Sequence, residues 1–349
     1  MIVDNDYILR CVEIARNGMY YVAPNPMVGA VLVTSSAPLS EGEIYAEGWH
    51  RKYGEAHAEV ECFRAAEARM EGLTDEEKAA MYGGMTLYVS LEPCSHYGKT
   101  PPCADLIISK GVKRVVVGCP DPNPQVAGKG VQRLRDAGVV VMVGVEEAAC
   151  RDLNKRFLCL HEKHRPYVIL KWAQTADGFM DNRIADSDLK SSKPLVISTP
   201  VTKQLVHQMR AENMAIMVGT RTALLDNPRL LTTHWPGRNP VRVVVDRHHR
   251  IPTDARIFSD DAPTIVYDER TDWPYILQDL AKRGIHSILV EGGTTLLEHI
   301  IGTGIWDEMH IEVSQSTCGE GVPAPRIDLP ENYEVVDGAK LYSIYQSDK

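Results

Sequence analysis

Long apolar runs are missing from this chain. The longest lies near Val139–Val145, far short of the roughly 18–20 residues that carry a helix across a bilayer, so no membrane association is expected. Positive charge is in deficit: 38 Lys and Arg stand against 47 Asp and Glu, a net charge of −9. Non-specific nucleic-acid binding draws on surplus Lys and Arg, and no nucleic-acid partner is expected. The opening residues, Met1-Ile2-Val3-Asp4-Asn5-Asp6, hold no basic segment followed by an apolar one, so no secretory leader is read there. Repeats and low-complexity tracts are missing too, as are a Gly-x-Gly-x-x-Gly after a strand and a P-loop. The commonest nucleotide-binding motifs therefore say nothing here. Cysteine is not scarce: there are eight. Without a leader, a disulfide framework fits poorly, and reduced thiols in a cytoplasmic setting are the expectation.

The 349 residues suggest about two domains, and a mean hydropathy of −0.21 is that of an ordinary soluble chain. Strand and helix signals alternate over the first 145 residues. Strands are expected at Met27–Val33, Ile44–Trp49, Met85–Ser90, Arg114–Gly118 and Val139–Val145, and helices at His57–Met70, Ala104–Lys110 and Gly130–Ala137. This order implies a parallel or mixed sheet with helices on its faces. Glu146–Lys163 reads as one charged helix, and Pro166 discourages helix just before it. A first domain over 1–150, a linker over 151–165 and a second domain over 166–349 follow. In the second, strands are expected at Tyr167–Trp172, Ala215–Val218, Val241–Asp246, Thr264–Tyr267 and Ser287–Val290, with helices at Thr202–Glu212, Ile276–Arg283 and Thr294–Ile300 and an extended tail.

Chemistry concentrates first at His57-Ala58-Glu59, at the start of a predicted helix, and then at Pro93-Cys94 and Cys103. One imidazole and two thiols suit zinc with a fourth position left for water, the pattern of a catalytic site. Glu59 lies two residues from His57, and on a helix that offset sends it in another direction. It is better placed to move protons than to ligate. Zinc brings the pKa of bound water to about 7, and a neighbouring carboxylate can pass that proton to a leaving amine. His-x-Glu followed by Pro-Cys and a second Cys is a deaminase signature in which the Glu is not a ligand. His96 is a rival ligand by residue type. Two other readings stand beside this one: a nucleic-acid deaminase, disfavoured by the net charge, and a non-catalytic zinc module, which needs four protein ligands.

Residues 1–150 resemble the cytidine-deaminase superfamily. Eight residues separate Cys94 from Cys103, where nucleic-acid deaminases have a C-x-x-C step. The string Pro93–Cys103, with Pro24-Asn25-Pro26-Met27-Val28-Gly29 and Gly48-Trp49-His50, resembles the deaminase half of the bifunctional riboflavin-biosynthesis deaminase/reductase family. The resemblance implies His57, Cys94 and Cys103 as zinc ligands and Glu59 as proton shuttle. It implies Asn25 as a pyrimidine contact and places His50, His96 and Lys99 near the substrate, Lys99 suiting a phosphate.

Three further segments, Lys171–Gly178, Val218–Pro228 and Val290–Leu296, resemble the reductase half of the same family. Glycines at a strand-to-helix turn such as Gly292-Gly293 let a phosphate approach backbone N–H groups. The resemblance implies an α/β fold, with an N-terminal cytidine-deaminase-like α/β/α domain and a C-terminal dihydrofolate-reductase-like α/β domain. It implies that Ala173, Thr222, Asp226, Gly293, Thr294 and Thr295 face NADPH, that Arg210 binds the substrate phosphate, and that Leu230 and Glu291 line the substrate site. The family's aromatic near Val196 and arginine near Thr233 are replaced here, with Arg229 or Arg238 as stand-ins for the arginine. A pyrimidine ribose phosphate as substrate, Zn2+ and NADPH as cofactors, and association of identical chains are the remaining expectations.

Overall fold

The computed structural model describes residues 4–35, 42–95, 97, 101–123, 126–183, 194–268 and 271–346. The chain divides into two units, 1–162 and 163–349.

The first unit contains α1 (Asp4–Ala15), β1 (Gly29–Thr34), β2 (Ile44–Trp49), α2 (Ala58–Arg69), α3 (Asp75–Gly83) and β3 (Met85–Leu91). It continues with α4 (Cys103–Lys110), β4 (Arg114–Cys119), α5 (Lys129–Asp136), β5 (Val140–Val143), α6 (Glu147–Leu153) and α7 (Lys155–Lys163). The strands form a mixed sheet in the order β2-β1-β3-β4-β5. β1 runs antiparallel to both neighbours, and β3, β4 and β5 are parallel.

Side chains alternate between faces along a strand, and β1 shows it. Ala30 and Leu32 enter a core with Cys62, Phe63 and Ile107 from α2 and α4. Val31 and Val33 enter a second core with Ile8, Cys11 and Cys150 from α1 and α6. Both faces are covered, so β1 and β3 are buried throughout. The single helix expected over Glu146–Lys163 is two helices, broken at Asn154. The stretch expected as a linker thus carries helix over most of its length.

Gly48 explains how α2 sits so close to β2. A Cβ there would fall 2.2 Å from the Cys62 amide nitrogen, a separation no side chain tolerates. Its absence lets the start of α2 rest directly on the strand.

The second unit contains β6 (Tyr167–Gln174), β7 (Phe179–Asp181), α8 (Pro200–Glu212), β8 (Ala215–Gly219), α9 (Thr220–Asp226), β9 (Val241–Val245), β10 (Thr264–Tyr267) and α10 (Trp273–Lys282). After these come β11 (Ser287–Val290), α11 (Thr294–Thr303), β12 (Glu308–Val313), β13 (Val322–Pro323), β14 (Glu334–Val336) and β15 (Ala339–Tyr345). Eight strands line up as β10-β9-β8-β11-β6-β12-β15-β14. The run from β10 to β12 is parallel, and the tail adds an antiparallel hairpin. Thr199 caps α8, its hydroxyl accepting from the Thr202 amide. Among the described residues no helix is long and apolar enough to cross a membrane.

One buried carboxylate organises a loop of the first unit. Glu92, 4% exposed, accepts the backbone N–H groups of Asp121, Gly128, Gly130 and Val131 at 3.0–3.3 Å. Gly130 packs on the Pro93 carbonyl so tightly that a Cβ would lie 1.9 Å from its oxygen. The loop before α5 is thereby fixed to the residue that precedes Cys94. Replacing Glu92 by Gln brings an NH2 against N–H donors and leaves buried amides unpaired. The expected cost is about 2–4 kcal/mol, read as a lower denaturant midpoint for the first unit's unfolding. An unchanged midpoint would show that the four bonds contribute nothing net.

Candidate active sites

In the first unit, two helix starts converge. His57 is the N-cap of α2, in extended conformation, and Cys103 is the first residue of α4. Cys94 lies three residues after the end of β3. His57 Nδ1 stands 3.7 Å from Cys94 Sγ and 3.3 Å from Cys103 Sγ, and the three donor atoms lie within 4.8 Å of one another. Nitrogen and sulfur ligands at about 2.1 and 2.3 Å around a tetrahedral zinc stand about 3.6 Å apart. Donor set and spacing therefore fit that ion. Helix N-termini carry partial positive charge, which favours thiolates. The Cys94 thiol lies well below its ordinary range, first through a hydrogen bond with Cys103 and, against burial, through His57. That bond in turn holds the proton on Cys103 and pushes its pKa up.

Glu59 sits in the first turn of α2, 4% exposed. Burial raises its pKa, against the opposing charge of His57. A raised carboxyl pKa suits a group that must both take and return a proton.

His50 and Asn25 complete this cluster. The His50 ring meets His57 edge-on at 5.7 Å between centroids. Its Nδ1 lies 2.9 Å from the Ala56 carbonyl, which only accepts, so Nδ1 carries the proton. Nε2 is then the acceptor for Asn25 Nδ2 at 3.1 Å. Burial lowers the His50 pKa, in keeping with a neutral ring. The structure thus brings Asn25, His50, His57, Glu59, Cys94 and Cys103 together. His96 and Lys99 lie outside the described residues.

In the second unit the expected residues lie around the carboxyl ends of the parallel strands, where open α/β sheets bind ligands. α9 starts as β8 ends, and α11 follows β11 across Glu291-Gly292-Gly293. The Gly293 amide donates to Thr222 Oγ1 at 3.2 Å, joining these two turns. Thr295 is exposed. Thr294 is buried, and its hydroxyl donates to the Pro323 carbonyl. Asp226 pairs with Arg183 at 2.6 Å.

Arg210 and Glu291 form a forked pair, Nε to Oε1 at 2.9 Å and Nη2 to Oε2 at 2.6 Å. Arg210 Nη1 donates to the Leu231 carbonyl at 3.2 Å, beside Leu230, which is buried with φ of 54°. Burial alone would raise the Glu291 pKa, but the Arg210 charge and hydrogen bonds bring it below the usual carboxylate range. Of the stand-ins considered at Thr233, Arg229 is paired with Asp261 at 2.7 Å. Thr233 itself donates its amide to His207 Nδ1 at 3.1 Å.

The sequence reading overlooks a second polar layer here. Lys171 lies under the influence of Glu291, Glu312 and Arg210, its pKa lowered by burial against the two carboxylates. Glu312, opposite Ala173 in the β6–β12 register, accepts from Ser198 Oγ at 2.6 Å and Thr202 Oγ1 at 2.7 Å. Lys171 stands two residues from Ala173 on a strand, so the two share a face. That parity is a signal the sequence does contain.

Comparison with known proteins agrees with both halves. Residues 1–119 match the cytidine and deoxycytidylate deaminase zinc-binding region, and residues 166–330 match the RibD C-terminal domain. The riboflavin biosynthesis protein RibD of Synechocystis is 40% identical over 299 residues, covering 85% of this chain and 74% of that protein. Its counterpart in Aquifex aeolicus is 36% identical over 342 residues, covering 92% and 89%. Among solved structures, a diaminohydroxyphosphoribosylaminopyrimidine deaminase/5-amino-6-(5-phosphoribosylamino)uracil reductase of Thermotoga maritima has a TM-score of 0.81 at 34% identity, covering 99% of both chains. RibD of Acinetobacter baumannii has a TM-score of 0.83 at 31% identity, also over 99% of both. The chain belongs to the RibD family, the bifunctional deaminase/reductase enzymes of riboflavin biosynthesis, with zinc and NADPH as cofactors.

Proposed function

We propose that the first unit hydrolytically removes the 2-amino group of 2,5-diamino-6-ribosylamino-4(3H)-pyrimidinone 5′-phosphate. The second unit then reduces the ribosyl group of the product to ribityl, giving 5-amino-6-(5-phosphoribitylamino)uracil. The observation that carries the first step is the three-donor cluster of His57, Cys94 and Cys103 with a buried, non-ligating carboxylate beside it. These three residues would hold zinc, whose Lewis acidity makes water nucleophilic near neutral pH. Glu59 takes the proton of the attacking water and delivers it to the amine, which leaves as ammonia. Asn25, fixed by His50, hydrogen-bonds the pyrimidine. His50 lines the same pocket as a neutral ring, and the resemblance adds His96 and Lys99 around the substrate.

In the second unit NADPH supplies the hydride. Ala173, Thr222, Asp226 and the Gly293–Thr295 turn are the proposed cofactor contacts, through backbone at Thr294, whose hydroxyl is turned to Pro323. Leu230 and Glu291 line the sugar. A guanidinium has five N–H donors, and the bonds of Arg210 to Glu291 and Leu231 use three of them. The other two remain for the substrate phosphate. Family likeness also supports association of identical chains and a cytoplasmic location. Light scattering of the purified chain and fractionation of the source cells test these.

Glu59→Gln keeps the shape and the three donors but cannot shuttle a proton. Zinc content is expected to be unchanged and the rate of ammonia release to fall by about 10²–10⁴. A folded, zinc-loaded Glu59→Gln enzyme releasing ammonia at the wild-type rate would overturn the mechanism.

Arg210→Ala strands a buried carboxylate. Loss of one partner of such a pair costs about 3–5 kcal/mol, and the Michaelis constant for the phosphorylated intermediate is expected to rise. The pH dependence also changes sign. In the wild type the folded Glu291 pKa lies below its unfolded value, so the pair stabilises at neutral pH, and that contribution is lost as pH falls through the depressed pKa. In Arg210→Ala the largest opposing charge is gone, only Lys171 and His207 still work against burial, and the pKa rises, so the Glu291 contribution is expected instead to weaken as pH rises. Denaturant midpoints of the second unit across the acidic range check this, and parallel profiles for the two proteins would contradict it.

A further inference from the structure

Asn154 lies at the break between α6 and α7, within the stretch that the sequence suggests is linker. It is 3% exposed. Its backbone serves the helices: its N–H donates to the Arg151 carbonyl, and its carbonyl accepts from Leu158. Its side chain does something else. Oδ1 accepts the Met27 N–H at 2.8 Å, and Nδ2 donates to the Met27 carbonyl at 2.8 Å. One carboxamide therefore grips both polar groups of a single residue 127 positions away.

Met27 follows Pro24-Asn25-Pro26. Proline has no N–H, so Asn25 and Met27 supply the only amide donors of this stretch. The Asn25 amide is spent on the Val22 carbonyl. Downstream, the Val28 carbonyl accepts from the His50 amide at 3.0 Å. The Met27 peptide is thus the anchor between Asn25 and the start of β1, and Asn154 holds it. From there the contacts run on: Asn25 to His50 at 3.1 Å, then the His50 ring to His57.

We infer that Asn154 is a positioning residue of the deaminase, fixing the Met27 peptide so that the Asn25 carboxamide meets His50 and the pyrimidine in register. The inference rests on the reading of Asn25 as a substrate contact. It makes the α6–α7 elbow, outside the strands and helices that carry the metal donors, part of the substrate pocket.

The test is a double-mutant cycle in the full-length enzyme, following ammonia release. Asn25→Ala and Asn154→Ala are each expected to raise the Michaelis constant by about tenfold, the worth of one lost hydrogen bond. Zinc content and NADPH turnover on the deaminated intermediate should stay at wild-type levels. Because Asn154 acts through Asn25, the double variant should match Asn25→Ala alone. Asn154→Asp keeps an acceptor for the Met27 amide but sets its second oxygen against the Met27 carbonyl, so it should raise the constant at least as much as Asn154→Ala. Asn154→Ser, whose hydroxyl cannot grip both groups, should also raise it and carries the test if Asn154→Ala fails to fold. If Asn25→Ala raises the constant and the Asn154 variants do not, or if the effects multiply in the double variant, the positioning role is wrong. If Asn25→Ala leaves the constant unchanged, the substrate role of Asn25 is wrong and the inference falls with it.

Discussion

Two helices of the first unit begin at the same point, and the deaminase chemistry depends on that coincidence. α2 starts from His57 and α4 starts at Cys103, so two positive helix ends face one buried spot. The hydrogen bond from Cys103 and the neighbouring His57 bring the Cys94 thiol well below its ordinary range against burial, and the two helix ends act in the same direction. Much of the surrounding sequence serves this meeting. Gly48 removes the side chain that would lift α2 off its strand. Glu92 and Gly130 fix the loop against the residue before Cys94. The Glu59 carboxylate is buried beside the donors without being one of the three, so the proposed proton shuttle is separate from the residues that would hold the ion.

The second unit solves a different problem. Among its described residues no cluster of metal donors is found. It must seat a charged sugar phosphate against a cofactor at the ends of parallel strands. Beside those strand ends the structure sets opposite charges together: Arg210 with Glu291, Lys171 near Glu291 and Glu312, and Arg183 with Asp181 and the exposed Asp226. For the Arg210–Glu291 pair, burial makes each charge costly alone and so favours the pairing.

The parts of this arrangement that are visible in the sequence are those written locally. Thr264–Tyr267 and Ser287–Val290 are strands with the expected ends, because a short, largely β-branched run bounded by polar residues has little else to become. Ile44–Trp49, which mixes Glu47 and Gly48 with apolar residues, is a strand with the expected ends as the partner of β1. His57, Cys94 and Cys103, the three donors that could hold a metal, are legible because they sit in short motifs. α3 and α9 escape notice: α3 buries only Tyr82, and α9 is seven residues long. α1 does carry a usable signal, with Ile8, Cys11, Val12 and Ala15 buried at helical spacing. The long-range polar contacts leave no such trace. Asn154 reads as an ordinary helix residue until Met27 is beside it. Glu92 carries no signal until the amides of Asp121, Gly128, Gly130 and Val131 meet it, and Glu312 gains meaning only once β12 lies beside β6.

The central claim is that one chain carries two reactions in a fixed order, the product of the first unit being the substrate of the second. The direct test supplies purified enzyme with the diaminopyrimidine ribosyl phosphate and NADPH, and follows ammonia and NADPH together. The account predicts one ammonia released and one NADPH oxidised per substrate, with ammonia appearing first and the deaminated intermediate alone supporting NADPH oxidation without ammonia. NADPH oxidised ahead of ammonia, or no NADPH oxidation with the authentic deaminated intermediate, would contradict it.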